Sequence, residues 1–242
     1  MNTVKIDSRN IKIIAHRGLS GLERENTNAA FVAAGNRSYY GIETDVHKTK
    51  DGKFVVIHDE TTDRVSLGKV NINVEKSNYS DIENIVLPDM DESFERKDIK
   101  IPLLSEYIKI CKKYEKICVL ELKNAFEKAD IEKIILEFKD AGYLENVIFI
   151  SFVWENCIIL RGLLPDAKIQ WLTGKNVNQK IAQLLWENKF DLDMKYKHLT
   201  KETVDMLHSY GVLVNAWTCD DEQDAEALIE MGVDFITTNI LE

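Results

Sequence analysis

The sequence predicts an α/β fold, a (β/α)8 TIM barrel with a small cap insertion after the hairpin of its second strand. Three observations predict it. Strand-like runs in the second half begin at Val147, Lys168, Phe190, Val212 and Asp234, a beat of 21 or 22 residues. Helical patterns lie between them, so strand and helix alternate at the length of parallel βα units. The first half adds three more parallel strands, and eight is the number that closes such a barrel. The 242 residues are read as a single domain over 1–242, with the cap at about 60–100.

The first strand is the apolar run IKIIAH, which stops at His16-Arg17-Gly18. A helix over Asn28–Arg37 follows, with Asn26 or Thr27 as its cap. GIETDVHKT is the second strand. FVVIHD comes after only Lys50-Asp51-Gly52-Lys53, and Asp-Gly between extended segments signals a hairpin. So short a connection cannot make a parallel crossover. FVVIHD is therefore an antiparallel return strand that brings His58 back beside Asp45.

Residues 60–100 read as a long polar excursion over the same end of the barrel. Leu104, Tyr107, Ile108 and Cys111 form one helical stripe before the strand ICVLELK, and Ile131, Ile134, Ile135 and Phe138 form another after it. Ile181, Leu184 and Leu185, then Val204 and Leu207, repeat the spacing in later helices. No eighth helical pattern follows the last strand, DFITT, so one side of the barrel is expected to be thinly covered.

Composition narrows the function classes. A formal charge of −10 argues against a nucleic-acid or anionic-membrane surface. It leaves a phosphate-bearing substrate open, because a bound cation reverses the sign locally. No stretch approaches the ~18 apolar residues of a membrane span, and MNTVKIDSRN carries no export signal. Cys111, Cys118, Cys157 and Cys219 form no C-x-x-C pair and read as reduced thiols of a cytoplasmic enzyme.

Catalytic groups of such barrels sit at the C-terminal ends of the strands. Those ends carry His16 and Arg17, Glu43 and Asp45, His58, Glu121 and Lys123, Phe152 and Trp217. Residues two apart on a strand share a face, so Glu43 and Asp45 project together, as do Glu121 and Lys123. Three carboxylates at one spot repel one another unless a cation lies between them. Oxygen ligands of this kind favour Mg2+ or Ca2+. Each group alone has an ordinary reading as an ion pair, a structural histidine or rim packing. Their recurrence at one end of three strands points to a site.

The motifs HRGLSGLERENT, ETDVHKTKDGKFVVIHD and LELK resemble those of the glycerophosphodiester phosphodiesterase family. IPLLSEY, ISF, VNAWT and GVDFITT extend the resemblance over nearly the whole chain. It implies hydrolysis of small-molecule glycerophosphodiesters to sn-glycerol 3-phosphate and an alcohol. It also implies a divalent cation on Glu43, Asp45 and Glu121, with His16 and His58 as the catalytic histidines. Arg17 and Lys123 match phosphate-side cations, and Phe152 and Trp217 match aromatic walls near the substrate. His16 is expected to act as general base and His58 as general acid. The related phospholipase C barrels suggest a cyclic phosphate intermediate.

Around this set, Asn26 and Thr27 are helix-capping candidates bordering the site, and Glu25 and Asp59 are candidates for orienting the metal shell or the histidines. His47 reads as a rim residue, and His198 and His208 as surface or packing positions. The family often carries Thr-Asp-x-Pro after the last strand, where this chain has Thr238-Asn239-Ile240-Leu241. That change bears on loop shape and touches none of the proposed ligands. Two other readings stay open: an aldolase-type barrel using Lys123 as a Schiff base, and a non-catalytic phosphodiester-binding protein. No exposed apolar helix is evident, so soluble diesters are favoured over lipids.

Overall fold

The computed structural model describes residues 2–242. In chain order the elements are β1 (Lys12–Ala15), α1 (Asn28–Gly35), β2 (Gly41–Lys48), β3 (Phe54–Val56), α2 (Leu104–Lys113), β4 (Ile117–Leu122), α3 (Lys128–Asp140) and β5 (Val147–Ser151). They continue as α4 (Trp154–Leu163), β6 (Lys168–Thr173), α5 (Gln179–Asn188), β7 (Asp191–Lys195), α6 (Lys201–Ser209), β8 (Val214–Trp217), α7 (Glu222–Met231) and β9 (Phe235–Thr238). All strands except β3 pair in parallel, and β1 bonds to both β9 and β2, which closes an eight-stranded barrel. β3 runs antiparallel to β2, pairing Val46 with Val56 and Lys48 with Phe54. The hairpin expected from Asp51-Gly52 is therefore present.

The helices bury the stripes that the sequence spacing marks. Leu104, Tyr107, Ile108 and Cys111 of α2 are buried, as are Ile131, Ile134, Ile135 and Phe138 of α3. α1 starts at Thr27, whose hydroxyl accepts from the Ala30 amide at 3.3 Å. Asn26 is not the cap; its φ of 55° turns the chain before the helix begins. α1 also ends at Gly35, short of Arg37.

Inside the barrel, Ile14, Val119, Ile148, Ile150, Leu172 and Phe235 pack together. This plug fills the barrel up to the cavity floor, which Ile150 and Leu172 line, and polar side chains gather at the strand C-termini. A larger apolar layer lies between the staves and the helices.

Two expectations need correction. Residues 60–100 are not simply a polar excursion: Val65, Val74, Ile82, Ile85, Leu87 and Ile99 form a small core with Val55 and Ile57 of the hairpin. Their apolar positions are irregularly spaced because the segment is mostly turns, with 3-10 turns at Val74–Lys76 and Tyr79–Asp81. The side where no eighth helix occurs among the described residues is also covered. The Ile6 amide donates to the Glu242 carbonyl at 2.9 Å, and the Glu242 amide donates to that of Val4 at 2.8 Å. This parallel pair of terminal segments lies between Ser38, just after α1, and the groove that Lys5 and Ile6 share with Glu226 and Ile229 of α7. Leu241 is completely buried there. The Glu242 carboxylate accepts from Thr3 Oγ1 at 2.7 Å and Ser38 Oγ at 2.8 Å, and Lys5 Nζ lies 2.9 Å from it.

Among the described residues, no helix is long and apolar enough to cross a membrane. The four cysteines are free and buried.

Candidate active site

The loop after β1 turns sharply, with positive φ at Arg17 (55°) and Gly18 (77°). A side chain at Gly18 would lie 2.7 Å from the Ala30 backbone, so only glycine lets this loop rest against α1. The turn aims the Arg17 amide at Glu43 Oε2, 2.8 Å away. Glu43 and Asp45 rise from β2, and Glu121 from β4 beside it; Asp45 and Glu121 are partners in register. All three are buried, and one oxygen from each lies within 4.8 Å of the others.

Such crowding has an electrostatic consequence. Burial, followed by Asp45 and Glu121, pushes the Glu43 pKa well above the carboxylate range. Burial and Asp45 push Glu121 up to about 8. Burial acts the same way on Asp45, but Lys123 and Arg17 outweigh it and hold that carboxylate ionised. Lys123 Nζ lies 2.8 Å from Glu121 Oε1 and 3.4 Å from Asp45 Oδ1. Neither oxygen receives an aligned hydrogen bond. Three hard oxygen donors, two of them met only by the Lys123 ammonium, fit a divalent cation. Asn26 steadies the cluster: its Nδ2 donates to Asp45 Oδ2 at 2.8 Å, and its Oδ1 accepts from Thr44 at 2.7 Å.

The two histidines have different supports. His16 Nδ1 lies 2.8 Å from Asn239 Oδ1, and its Nε2 is 4.0 Å from Glu43 Oε2. Burial, then Arg17, lowers its pKa to about 4. His58 Nδ1 lies 2.6 Å from the Asp59 carboxylate. Burial lowers the His58 pKa against the pull of Asp45, with Arg17 and Lys123 adding to the lowering.

Behind His58 runs a chain of ion pairs. Arg64 Nε donates to Asp59 at 2.6 Å, both Arg64 terminal nitrogens donate to Glu25 at 2.8 Å, and Glu25 accepts from Arg17 at 2.8 Å. Burial opposes ionisation of Glu25 and Asp59, yet Arg64 foremost holds both pKa values down at about 2.

His16, Arg17, Glu43, His58, Glu121, Lys123, Phe152 and Trp217 all line one cavity of about 210 Å³. Phe152 and Trp217 meet edge to face at 5.7 Å on its apolar side. Asp45 stands just behind, fully buried. The sequence candidates thus converge on one place.

Other positions differ from expectation. His47 is not at the rim: it is 1% exposed, with Nδ1 3.0 Å from Glu75 Oε1 and Nε2 3.2 Å from the His58 carbonyl. It ties the cap to the His58 loop. No residue of 60–100 is among those lining the cavity, so the cap braces His58 and does not wall the pocket. His198 and His208 lie away from the site, against Asn176 and Asp234.

Three contributors escaped the sequence reading. Asn239 supports His16 directly, so the departure after the last strand reaches the site and is more than a matter of loop shape. Arg64 lies in the irregular cap and gave no signal. Asp193 lines the cavity from β7; its clue was an acidic residue at an inward position of a buried strand.

A profile of the Glycerophosphoryl diester phosphodiesterase family matches residues 16–242. The chain is 32% identical to a glycerophosphodiester phosphodiesterase of Caldanaerobacter subterraneus, over 94% of this chain and 93% of that one. It is 30% identical to one from Bacillus altitudinis, over 94% of each. Among solved structures, a glycerophosphodiester phosphodiesterase from Parabacteroides distasonis superposes with a TM-score of 0.80 at 29% identity, covering 95% of this chain and 93% of that chain. A phosphodiesterase from Oleispira antarctica, solved with the product sn-glycerol-3-phosphate, superposes with a TM-score of 0.87 over 97% and 95% of the two chains. At 23% identity that last likeness concerns the fold alone.

Proposed function

The chain belongs to the glycerophosphoryl diester phosphodiesterase family and is an enzyme of that class, and from that premise we propose how its residues work. The reaction is hydrolysis of a glycerophosphodiester to sn-glycerol 3-phosphate and an alcohol. The fold-related Oleispira phosphodiesterase holds that same product. The observation that carries the proposal is the convergence of Glu43, Asp45 and Glu121 with His16 and His58 on one cavity at the strand ends.

Glu43, Asp45 and Glu121 would hold a divalent cation, Mg2+ or Ca2+, which would supply Lewis-acid polarisation of a phosphoryl oxygen and offset the carboxylate charge. Arg17 and Lys123 add two fixed positive charges at the same place, where negative charge gathers on the phosphoryl oxygens in the transition state. Without such compensation a phosphodiester anion would be repelled by the three carboxylates.

The supports of the histidines divide their roles. Asn239 gives His16 an amide oxygen, which fixes the Nδ1–H tautomer and favours the imidazolium only as far as a neutral acceptor can. Burial and Arg17 outweigh that pull and keep His16 neutral, with its Nε2 lone pair free, as a general base requires. Asp59 gives His58 a carboxylate, which favours the protonated ring. His58 is the general acid that delivers a proton to the departing alcohol oxygen. The glycerol hydroxyl next to the phosphate is the first nucleophile, giving a cyclic phosphate that water opens. In that second step the proton transfers are reversed.

Lys123 is poorly suited to Schiff-base chemistry. Burial opposes its charge, but Asp45 and Glu121 outweigh burial and raise its pKa, whereas an amine nucleophile must be neutral. We read the chain as one catalytic domain over 1–242, acting in the cytoplasm on soluble diesters.

The test is an assay across glycerophosphodiesters with choline, ethanolamine, glycerol and inositol headgroups, with and without chelator. Turnover should vanish with chelator, return with Mg2+ or Ca2+, and fall at least about 10³-fold in H16A and H58A. Full activity in chelator, or in H16A, would overturn the proposal.

A further inference from the structure

Apart from Arg17 Nε and Glu121 Oε1 of the charged cluster, two polar atoms of cavity-lining residues are buried without a hydrogen-bond partner: Asp193 Oδ1 on β7 and Trp217 Nε1 on β8. Their neighbours behave differently. Asn215 donates to Gln170 Oε1 at 3.2 Å and accepts from Thr237 Oγ1 at 3.1 Å. Asp193 stands opposite Asn215 in the β7–β8 register, and Trp217 lies one inward position above Asn215. The two orphans therefore lie on neighbouring strands of the same cavity wall, Asp193 level with the satisfied Asn215 and Trp217 one inward position above it.

A buried carboxyl oxygen with no partner costs stability, and Asp193 is only 2% exposed. A leucine would fill the same space without that cost. The orphans are chemically complementary: the carboxyl oxygen needs a donor, and the indole N–H needs an acceptor. An alcohol hydroxyl satisfies both at once. A quaternary ammonium satisfies neither, a primary ammonium only the carboxyl, and a diester oxygen only the indole.

We propose that Asp193 and the Trp217 N–H form the specificity-determining pair that receives a hydroxyl of the glycerol moiety, an inference that rests on the phosphodiesterase reading. Arg17 and Lys123, beside the acidic cluster, fix the phosphoryl group at one side of the cavity. The three-carbon polyol then lies along Ile150 and Leu172 toward Asp193, and the alcohol to be released faces the mouth. The acceptor that the geometry leaves open on Asp193 is a carboxyl oxygen, which an amide oxygen can replace. Asparagine is its closest functional substitute.

The experiment compares sn-glycero-3-phosphocholine with 2-hydroxypropyl phosphocholine, which lacks only the terminal glycerol hydroxyl. Neither headgroup bears a hydroxyl, so a headgroup source is excluded. The unsubstituted enzyme should prefer the glycerol substrate at least about tenfold in kcat/KM. D193L should bring that preference within about threefold by losing kcat/KM selectively on the glycerol substrate, while its melting temperature holds or rises. D193N should keep most of the preference. Persistence of the preference in D193L, or equal loss on both substrates, overturns the assignment. Calorimetric binding of sn-glycerol 3-phosphate against its deoxy counterpart gives the same comparison without turnover. A protein that hydrolyses neither diester yet shows the Asp193-dependent binding preference would sink the phosphodiesterase reading and leave this one standing.

Discussion

His16 Nδ1 and Asn239 Oδ1 lie 2.8 Å apart, across the junction where the first and last staves meet. The amide orientation is settled by its other partners: Asn239 Nδ2 donates to Asp220 Oδ2 at 2.6 Å, and Oδ1 also accepts from Ser20 Oγ at 2.6 Å. Asp220 requires the NH2 group, so the oxygen must face His16. N239A should therefore lower kcat by about 10–100-fold with little change in KM. N239D still accepts from Nδ1 but its charge favours the imidazolium, so it should recover activity with the ascending limb of the pH–rate profile moved to higher pH. Steady-state kinetics on all three proteins decides it, and equal defects in both variants would refute a tautomer role.

The acidic cluster makes stability depend on the cation. Glu43 and Glu121 have folded pKa values above their unfolded ones, so the native state holds more protons. By linkage, metal-free stability falls as pH rises from the ordinary carboxylate range to about 8. Mg2+ or Ca2+ should cancel that fall and raise the melting temperature at pH 8. E121Q should flatten the metal-free profile and shrink the metal-induced shift. Thermal melts across pH check both effects; a profile indifferent to the cation would count against the assignment.

Arg64 should matter to activity more than to folding. It is half-exposed, and its pairs contribute no more than about 1 kcal/mol to stability. It nevertheless joins Asp59, which supports His58, to Glu25, which holds Arg17. R64A is expected to cut kcat/KM by roughly tenfold or more while the unfolding midpoint barely moves. Denaturant melts and kinetics on one preparation test this. A large stability loss with normal kinetics would contradict it.

The terminal staple predicts an acid-sensitive contribution. Burial raises the Glu242 pKa, but hydrogen bonds led by the Ser38 amide overcome it and bring the value to about 2, from an ordinary 4.5. The stabilisation is therefore complete above about 4.5 and lost as pH falls toward 2. E242Q should be less stable by roughly 1–2 kcal/mol at neutral pH, and the gap between the two proteins should narrow below pH 4. A gap that stays constant down to pH 3 would exclude the linkage.

The sequence by itself determined the barrel, because strand and helix periodicities are local and recur at a nearly fixed interval. It determined the hairpin as well, since Asp51-Gly52 allows no crossover. It also placed His16, Glu43, Asp45, His58 and Glu121 at strand ends, where period-two alternation says which side chains project together. Tertiary structure alone decided which groups support them. Asn239 meets His16 across 223 positions, and Arg64 meets Glu25 across 39, through side chains whose reach no local pattern encodes. The covering of the open side by residues near 4 and 241 was equally invisible, because pairing between chain ends leaves no periodicity in either segment. Asp193 lay between the two regimes: strand alternation turned it inward, but only the closed barrel left its carboxyl without a partner.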